Sequence, residues 1–374
     1  MKSRILKLIV LYVLLFNLSS CTKNKNEVLY DRDFLKEIKA ARKEIVFYMA
    51  RNSVPGATFA VAREGKIIYS EGLGLASKDL EVPVFRTTKF RIGQLSEIFT
   101  SLLYHQLTEK GILHPDSTVQ VYYPTFPEKK HELTLRHLVQ HTSGLREPNA
   151  EEKDWRGLNI SIQKGIENLL TDTLIASPGT NQVPNMFNYN LLGAVMEEAT
   201  GTLFPNLLKQ YITDTLNLEN TVIDNPFITI KGRSNYFDHN IVAQVVNATL
   251  RDMRYRAPSE GILSNAEDLV NYGNALLFSE SVANSIRVKL FEPITLKTKE
   301  QAKMTNGWIL LNDRNERKIY GRSGNVTGGS AAIIIYPDEK LVIACATNLS
   351  SFSDDLPVFA IAEHFLPEAK QVQQ

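Results

Sequence analysis

The chain has 374 residues with 42 basic and 41 acidic side chains, for a formal net charge of +1. That balance gives no broad field to recruit nucleic acid, and no long run of like charge appears, so nucleic-acid binding is set aside. A hydrophobic content of 43% with 22% charged residues is ordinary for a folded protein with a substantial core.

The N-terminus reads differently from the rest. Lys2, Arg4 and Lys7 precede an unbroken apolar stretch from Leu8 to Phe16, and Leu18-Ser19-Ser20-Cys21 follows with small residues. Charge, short apolar run and small residues in that order form a secretory signal, and the run is too short to span a membrane comfortably. The ending resembles a bacterial lipobox. On that reading residues 1–20 are a lipoprotein signal peptide, Cys21 carries the lipid, and 21–30 form a tether. Thr22, which is not the aspartate associated with inner-membrane retention, inclines the anchor toward the outer membrane. Cys345 is the only other cysteine; it sits in the apolar run Leu341–Ala346 and reads as a small core residue, so no disulfide framework is available.

A helix is expected over Asp31–Ala50, where Leu35, Ile38, Ile45 and Met49 recur at helical spacing. Thr58–Arg63 and Lys66–Glu71 are short β-rich runs around Glu64-Gly65, a hairpin signal. Ser330–Tyr336 and Lys340–Thr347, joined by Pro337-Asp338-Glu339, form a second hairpin, and Asp354–Phe365 reads as a closing helix. The middle of the chain is mostly helical pattern and loop. Strand pairs at both ends imply an α+β protein, residues 31–370. One antiparallel sheet would draw on about 31–85 and 300–370, with an inserted helical subdomain over about 86–299 and a ligand cleft where the two meet.

Five strings then appear in order. They are Phe90–Thr100 (FRIGQLSEIFT), Leu135–Leu145 (LRHLVQHTSGL), Pro178-Gly179-Thr180 with Asn188-Tyr189, Gly261–Ser264 with Asp268-Leu269, and Gly321-Arg322-Ser323-Gly324 with Gly328-Gly329. Together they resemble the class C branch of the serine β-lactamase and penicillin-binding-protein family, from Val54 to about Asn348. The resemblance implies a β-lactamase/transpeptidase-like fold and acyl transfer through a serine. In that chemistry a lysine one helical turn along and a tyrosine activate the serine hydroxyl, and a third motif bearing Lys or His positions substrate.

Residue by residue, the chain departs from that pattern. Gln94 stands at the serine position and Glu97 at the lysine position. Pro184 and Met186 stand at the tyrosine and asparagine positions, counted without a gap. Arg322 replaces Lys or His in the third motif, with Ser323 and Gly324 kept. An amide is no nucleophile, a carboxylate carries the wrong charge and proline does not ionise. Loss of the nucleophile alone removes on the order of 10⁶ in rate, roughly 8 kcal/mol of transition-state stabilisation.

Three other groups of residues could supply substitute chemistry. Ser96 lies two positions beyond Gln94 and faces about 200° away on a helix. Beyond the signal-like N-terminus, Ser161-Ile162-Gln163-Lys164 is the one Ser-x-x-Lys string, but it lies between motifs, where Ser161 suits a helix N-cap. His137 and His141 are spaced i, i+4, as a zinc pair on one helix face would be, yet the glutamate of a His-Glu-x-x-His motif is missing and they read as structural. No metal or other cofactor is expected. Glu97 and Arg322 are expected to pair in the old cleft.

The leading expectation is a lipid-anchored envelope protein, periplasm-facing or at the outer membrane, that binds a peptide, a peptidoglycan fragment or a protein partner without catalysis. The alternative is a serine hydrolase acting through Ser96, Ser323 or another unrecognised hydroxyl.

Overall fold

A computed structural model of the chain describes residues 28–158, 161–350 and 356–367. The expected signal peptide, Cys21 and most of the expected tether lie outside the described residues. Leu29–Tyr30 (β1), assigned to the tether from the sequence, pairs with Ser70 and Tyr69, because its main-chain groups complete the edge of a sheet.

That sheet is antiparallel and built from both ends of the chain. Its order is β1, β3 (Lys66–Ser77), β2 (Gly56–Arg63), β13 (Leu341–Thr347), β12 (Gly329–Tyr336), β11 (Lys318–Val326) and β10 (Ile309–Asn312), with β4 (Val82–Pro83) paired to β3. Glu64 and Gly65 turn the β2–β3 hairpin with φ of 52° and 82°, the doubly left-handed turn whose twist matches its strands. Period-two alternation divides the residues of β12 and β13 between two cores. Ala331, Ile333, Ile335, Val342 and Ala344 face the larger core; Ala332, Ile334, Leu341, Ile343 and Cys345 face the smaller. Both faces are therefore covered, and burial pushes the Cys345 thiol up to about 12, which keeps it protonated and inert.

The smaller core is closed by α1 (Leu35–Arg51) and the C-terminal helix (Val358–Phe365), with Ile38, Ala41 and Ile45 meeting Ile361, Ala362 and Phe365. The larger core holds α2 (Ser96–Glu109), α3 (Leu135–Val139), α5 (Met186–Thr200) and α6 (Ala266–Phe278), while the short α4 (Ala150–Lys153) stays at the surface. The middle of the chain is less purely helical than its periodicity implies. β5 (Phe90–Arg91), β9 (Ile262–Ser264) and β6 (Val222–Ile223) form a small sheet, and β7 (Phe237–His239) pairs with β8 (Val245–Asn247). These strands of two or three residues are too short for a period to register. In the string Gly261–Ser264 with Asp268-Leu269, Ile262–Ser264 is strand and Asp268-Leu269 lies in the first turns of the helix that follows, N-capped by Asn265, whose side chain accepts from the Asp268 N–H.

Candidate active-site cleft

The site lies where the turn before α2 meets the end of β11. The contact is backbone against backbone. A Cβ on Gly324 would stand 2.1 Å from the Ile92 carbonyl oxygen and 2.5 Å from the Leu95 nitrogen. Gly93, at φ 53°, approaches the Asn325 main chain in the same way. Two glycines thus bring the first turn of α2 against the strand and set Gln94 and Glu97 beside Arg322.

The resulting cleft has a volume of about 320 Å³, and its walls include Gln94, Glu97, Pro184, Met186 and Arg322. Five positions singled out from sequence motifs therefore converge on one cavity. Ser323 is half-buried on β11 between two cleft-lining or cleft-forming neighbours. Pro184 and Met186 arrive through α5, whose N-cap Asn185 accepts from the Phe187 and Asn188 N–H groups.

Gln94 uses both ends of its amide. Its Oε1 accepts from the Asn325 main-chain N–H at 2.8 Å, and its Nε2 donates to Glu260 Oε1 at 2.9 Å. Glu260 Oε2 in turn accepts from Arg256 at 3.0 Å, and Arg256 also donates to the Lys153 carbonyl on α4. A continuous brace therefore runs from β11 across the cleft to α4.

Glu97 and Arg322 pair as expected. Arg322 donates through Nη2 to Glu97 Oε2, with the carboxylate 2% and the guanidinium 8% exposed. The same Oε2 lies 3.2 Å from His141 Nε2, and His141 Nδ1 lies 3.2 Å from Asn188 Nδ2. Because an amide nitrogen can only donate, Nδ1 accepts, which leaves the ring proton on Nε2 pointing at Glu97. Asn188 Oδ1 is taken by the Ser143 hydroxyl. Glu97 is thus a buried anion held by one charged and one neutral donor, and the tyrosine beside it, Tyr189, is buried completely, which pushes its hydroxyl well above the usual phenol range.

His141 and Glu260 were not foreseen as site residues. His141 sits inside the quoted Leu135–Leu145 string, but its contact with Glu97 spans 44 positions, which no local pattern encodes. The i, i+4 spacing of His137 and His141 does not fall on one helix. α3 ends at Val139 and His141 adopts φ 56°, so the two imidazoles do not share a helix face. His137 turns back to cap its own helix through Thr134.

The hydroxyls of Ser96 and Ser161 are engaged elsewhere. Ser96 is fully buried, does not line the cleft, and its Oγ accepts from the Ile262 N–H at 3.1 Å. Ser161 caps its helix by accepting from the Lys164 N–H, and Lys164 pairs with Glu167.

A family profile described as Beta-lactamase matches residues 41–363, so this chain belongs to the β-lactamase family. Among its relatives, penicillin-binding protein 4* of Bacillus subtilis is 25% identical, covering 83% of this chain and 72% of that protein. The human mitochondrial serine beta-lactamase-like protein LACTB is 23% identical, covering 82% and 73%. Of the solved structures, FmtA from Staphylococcus aureus superposes with a TM-score of 0.76 at 18% identity, covering 92% of each chain. A class C β-lactamase gives 0.74 at 20% identity, over 91% of this chain and 99% of that one. These structures share the β-lactamase/transpeptidase-like fold with this chain.

Proposed function

We propose that the chain is a non-catalytic member of this family, a lipid-anchored envelope protein that holds a peptide, a peptidoglycan fragment or a protein partner in the cleft. The observation that carries this reading is the state of Gln94. The group at the reacting position is a neutral amide with both ends hydrogen-bonded, next to a carboxylate locked against Arg322 and His141. Acyl transfer of the kind this family is built for needs a serine hydroxyl within reach of a base. The Ser143 hydroxyl, nearest to His141 along the network, bonds Asn188 instead and is buried.

The walls of the cleft carry three carboxylates, Glu97, Glu147 and Glu260, and three cations, Lys153, Arg256 and Arg322, paired one to one. Such a surface favours a neutral or zwitterionic polar ligand over a strongly charged one, which suits a short peptide. The envelope location rests on the lipobox-like ending at Cys21.

Two experiments test the proposal. A fluorophosphonate and a labelled penicillin, applied to the purified protein, should leave no covalent adduct. Labelling that vanished on replacing a single serine would end the non-catalytic reading in favour of a serine hydrolase. Mass spectrometry of the mature N-terminus should find Cys21 bearing a diacylglyceryl thioether; an unmodified cysteine would remove the anchor.

A further inference from the structure

Helix α1 buries one stripe and leaves the opposite one open. Ile38, Ala41 and Ile45 enter the smaller core, whereas Lys36, Lys39, Lys43, Val46, Phe47 and Ala50 form an outward stripe at helical spacing. Phe47 is 64% exposed and Val46 45%. No acid lies on this stripe. Glu44 is turned aside to His364, and Arg42 on the flank is tied to Glu71. Among the described residues none of the three lysines makes an ion pair or hydrogen bond. With the whole chain at +1, the positive bias here is local.

Cationic heads around exposed apolar and aromatic groups are what an interfacial helix presents to lipid: the rings enter the headgroup boundary while lysine stems snorkel to anionic phosphates. We infer that this stripe of α1 rests on an anionic lipid surface. The inference rests in part on the proposed lipid at Cys21, since the eight residues from there to Leu29 reach at most about 28 Å fully extended. That reach holds α1 close to the bilayer and makes its docking effectively intramolecular. α1 covers the face of the sheet away from α2, so the cleft stays open when the stripe is seated.

The test uses the chain from residue 21 onward with Cys21→Ser, which contains every element of both cores but no acyl group. It should sediment with phosphatidylcholine vesicles containing about one third phosphatidylglycerol, and not with phosphatidylcholine alone. Reversal of the lysines (Lys36→Glu/Lys39→Glu/Lys43→Glu) should weaken that binding at least about tenfold, as each lysine near the surface contributes roughly a factor of five. Phe47→Ser should weaken it as well, and salt should abolish it. A control with the same charge change elsewhere, Lys130→Glu/Lys299→Glu/Lys303→Glu, should bind as the parent does. Absence of binding, equal binding to neutral vesicles, or equal loss in the control would overturn the inference. Those results are separate from the fate of Cys21: an unmodified cysteine with vesicle binding intact removes the anchor and leaves the docking face.

Discussion

Gln94 Oε1 accepts the main-chain N–H of Asn325 at 2.8 Å, so a side chain of the cleft itself occupies this strand donor. Its other end is set against a carboxylate, Glu260. The near-isosteric change Gln94→Glu would keep the first bond and replace the second by two facing carboxylates. Destabilisation of about 1–3 kcal/mol is expected at neutral pH, from the lost donor and the like-charge contact. It should shrink as the pH falls and the two carboxyls share a proton. Urea unfolding at pH 7 and pH 5 checks this; an equal loss at both would mean that the amide bridge is not formed.

Glu97 and Arg322 make a second expectation quantitative. Both are buried, and removing one strands the other's charge away from water, which typically costs 3–5 kcal/mol. Glu97→Gln and Arg322→Met alone should each approach that range. The double variant should cost clearly less than the sum, because no uncompensated charge remains. A double-mutant cycle by guanidinium unfolding measures the coupling, and additive losses would show that the two side chains act independently.

How far the sequence could be read follows from the range of each interaction. The end hairpins were legible because Glu64-Gly65 and Pro337-Asp338-Glu339 announce their turns locally. The pairing of Glu97 with Arg322 was legible too, since opposite charges on two motifs known to meet in one fold have few other partners in a dry cleft. His141 was not. Its string was recognised, but the left-handed residue that turns its ring toward Glu97 interrupts the helical spacing that suggested a metal pair. Nor was the bridging role of Gln94, whose partners lie 231 and 166 positions away. The short strands β5, β6 and β9 escaped for a different reason, being stabilised by one another rather than by any pattern of their own.

Gly324 carries a prediction about the scaffold rather than the chemistry. Its extended backbone would tolerate alanine, but the added methyl would overlap the Ile92 oxygen and the Leu95 nitrogen. Because those obstacles are backbone atoms, the strand and the turn must part. Gly324→Ala should therefore destabilise the fold by about 1–3 kcal/mol or more and lengthen the Gln94–Asn325 bond. Thermal unfolding gives the first quantity, and faster hydrogen exchange at the Asn325 amide reports the second. Unchanged exchange with unchanged stability would contradict this packing.

His105 supplies the pH dependence. It is 6% exposed on α2, its ring rests edge-on against Tyr104, and neither ring nitrogen has a hydrogen-bond partner in the structure. Burial, helped by the charges of Lys289 and Arg136, pushes it down to about 3 from an ordinary value of 6.5. The folded protein thus keeps His105 neutral while the unfolded chain takes up a proton below about 6.5. Stability must fall as the pH drops through that window, by at most about 1.4 kcal/mol per pH unit for this one site, and the loss stops below about 3, where both states are protonated. His137, lowered to about 4 mainly by burial, adds a smaller loss of the same sign. His105→Leu removes the titrating group and two buried unpaired nitrogens. It should be nearly neutral at pH 7 and progressively stabilising relative to the parent toward pH 4, leaving only the shallower slope due to His137 and the carboxylates. Parallel denaturation curves for parent and variant from pH 7 to pH 4 decide it: a constant difference between the two would show that His105 has a solvated or paired imidazole in the folded protein.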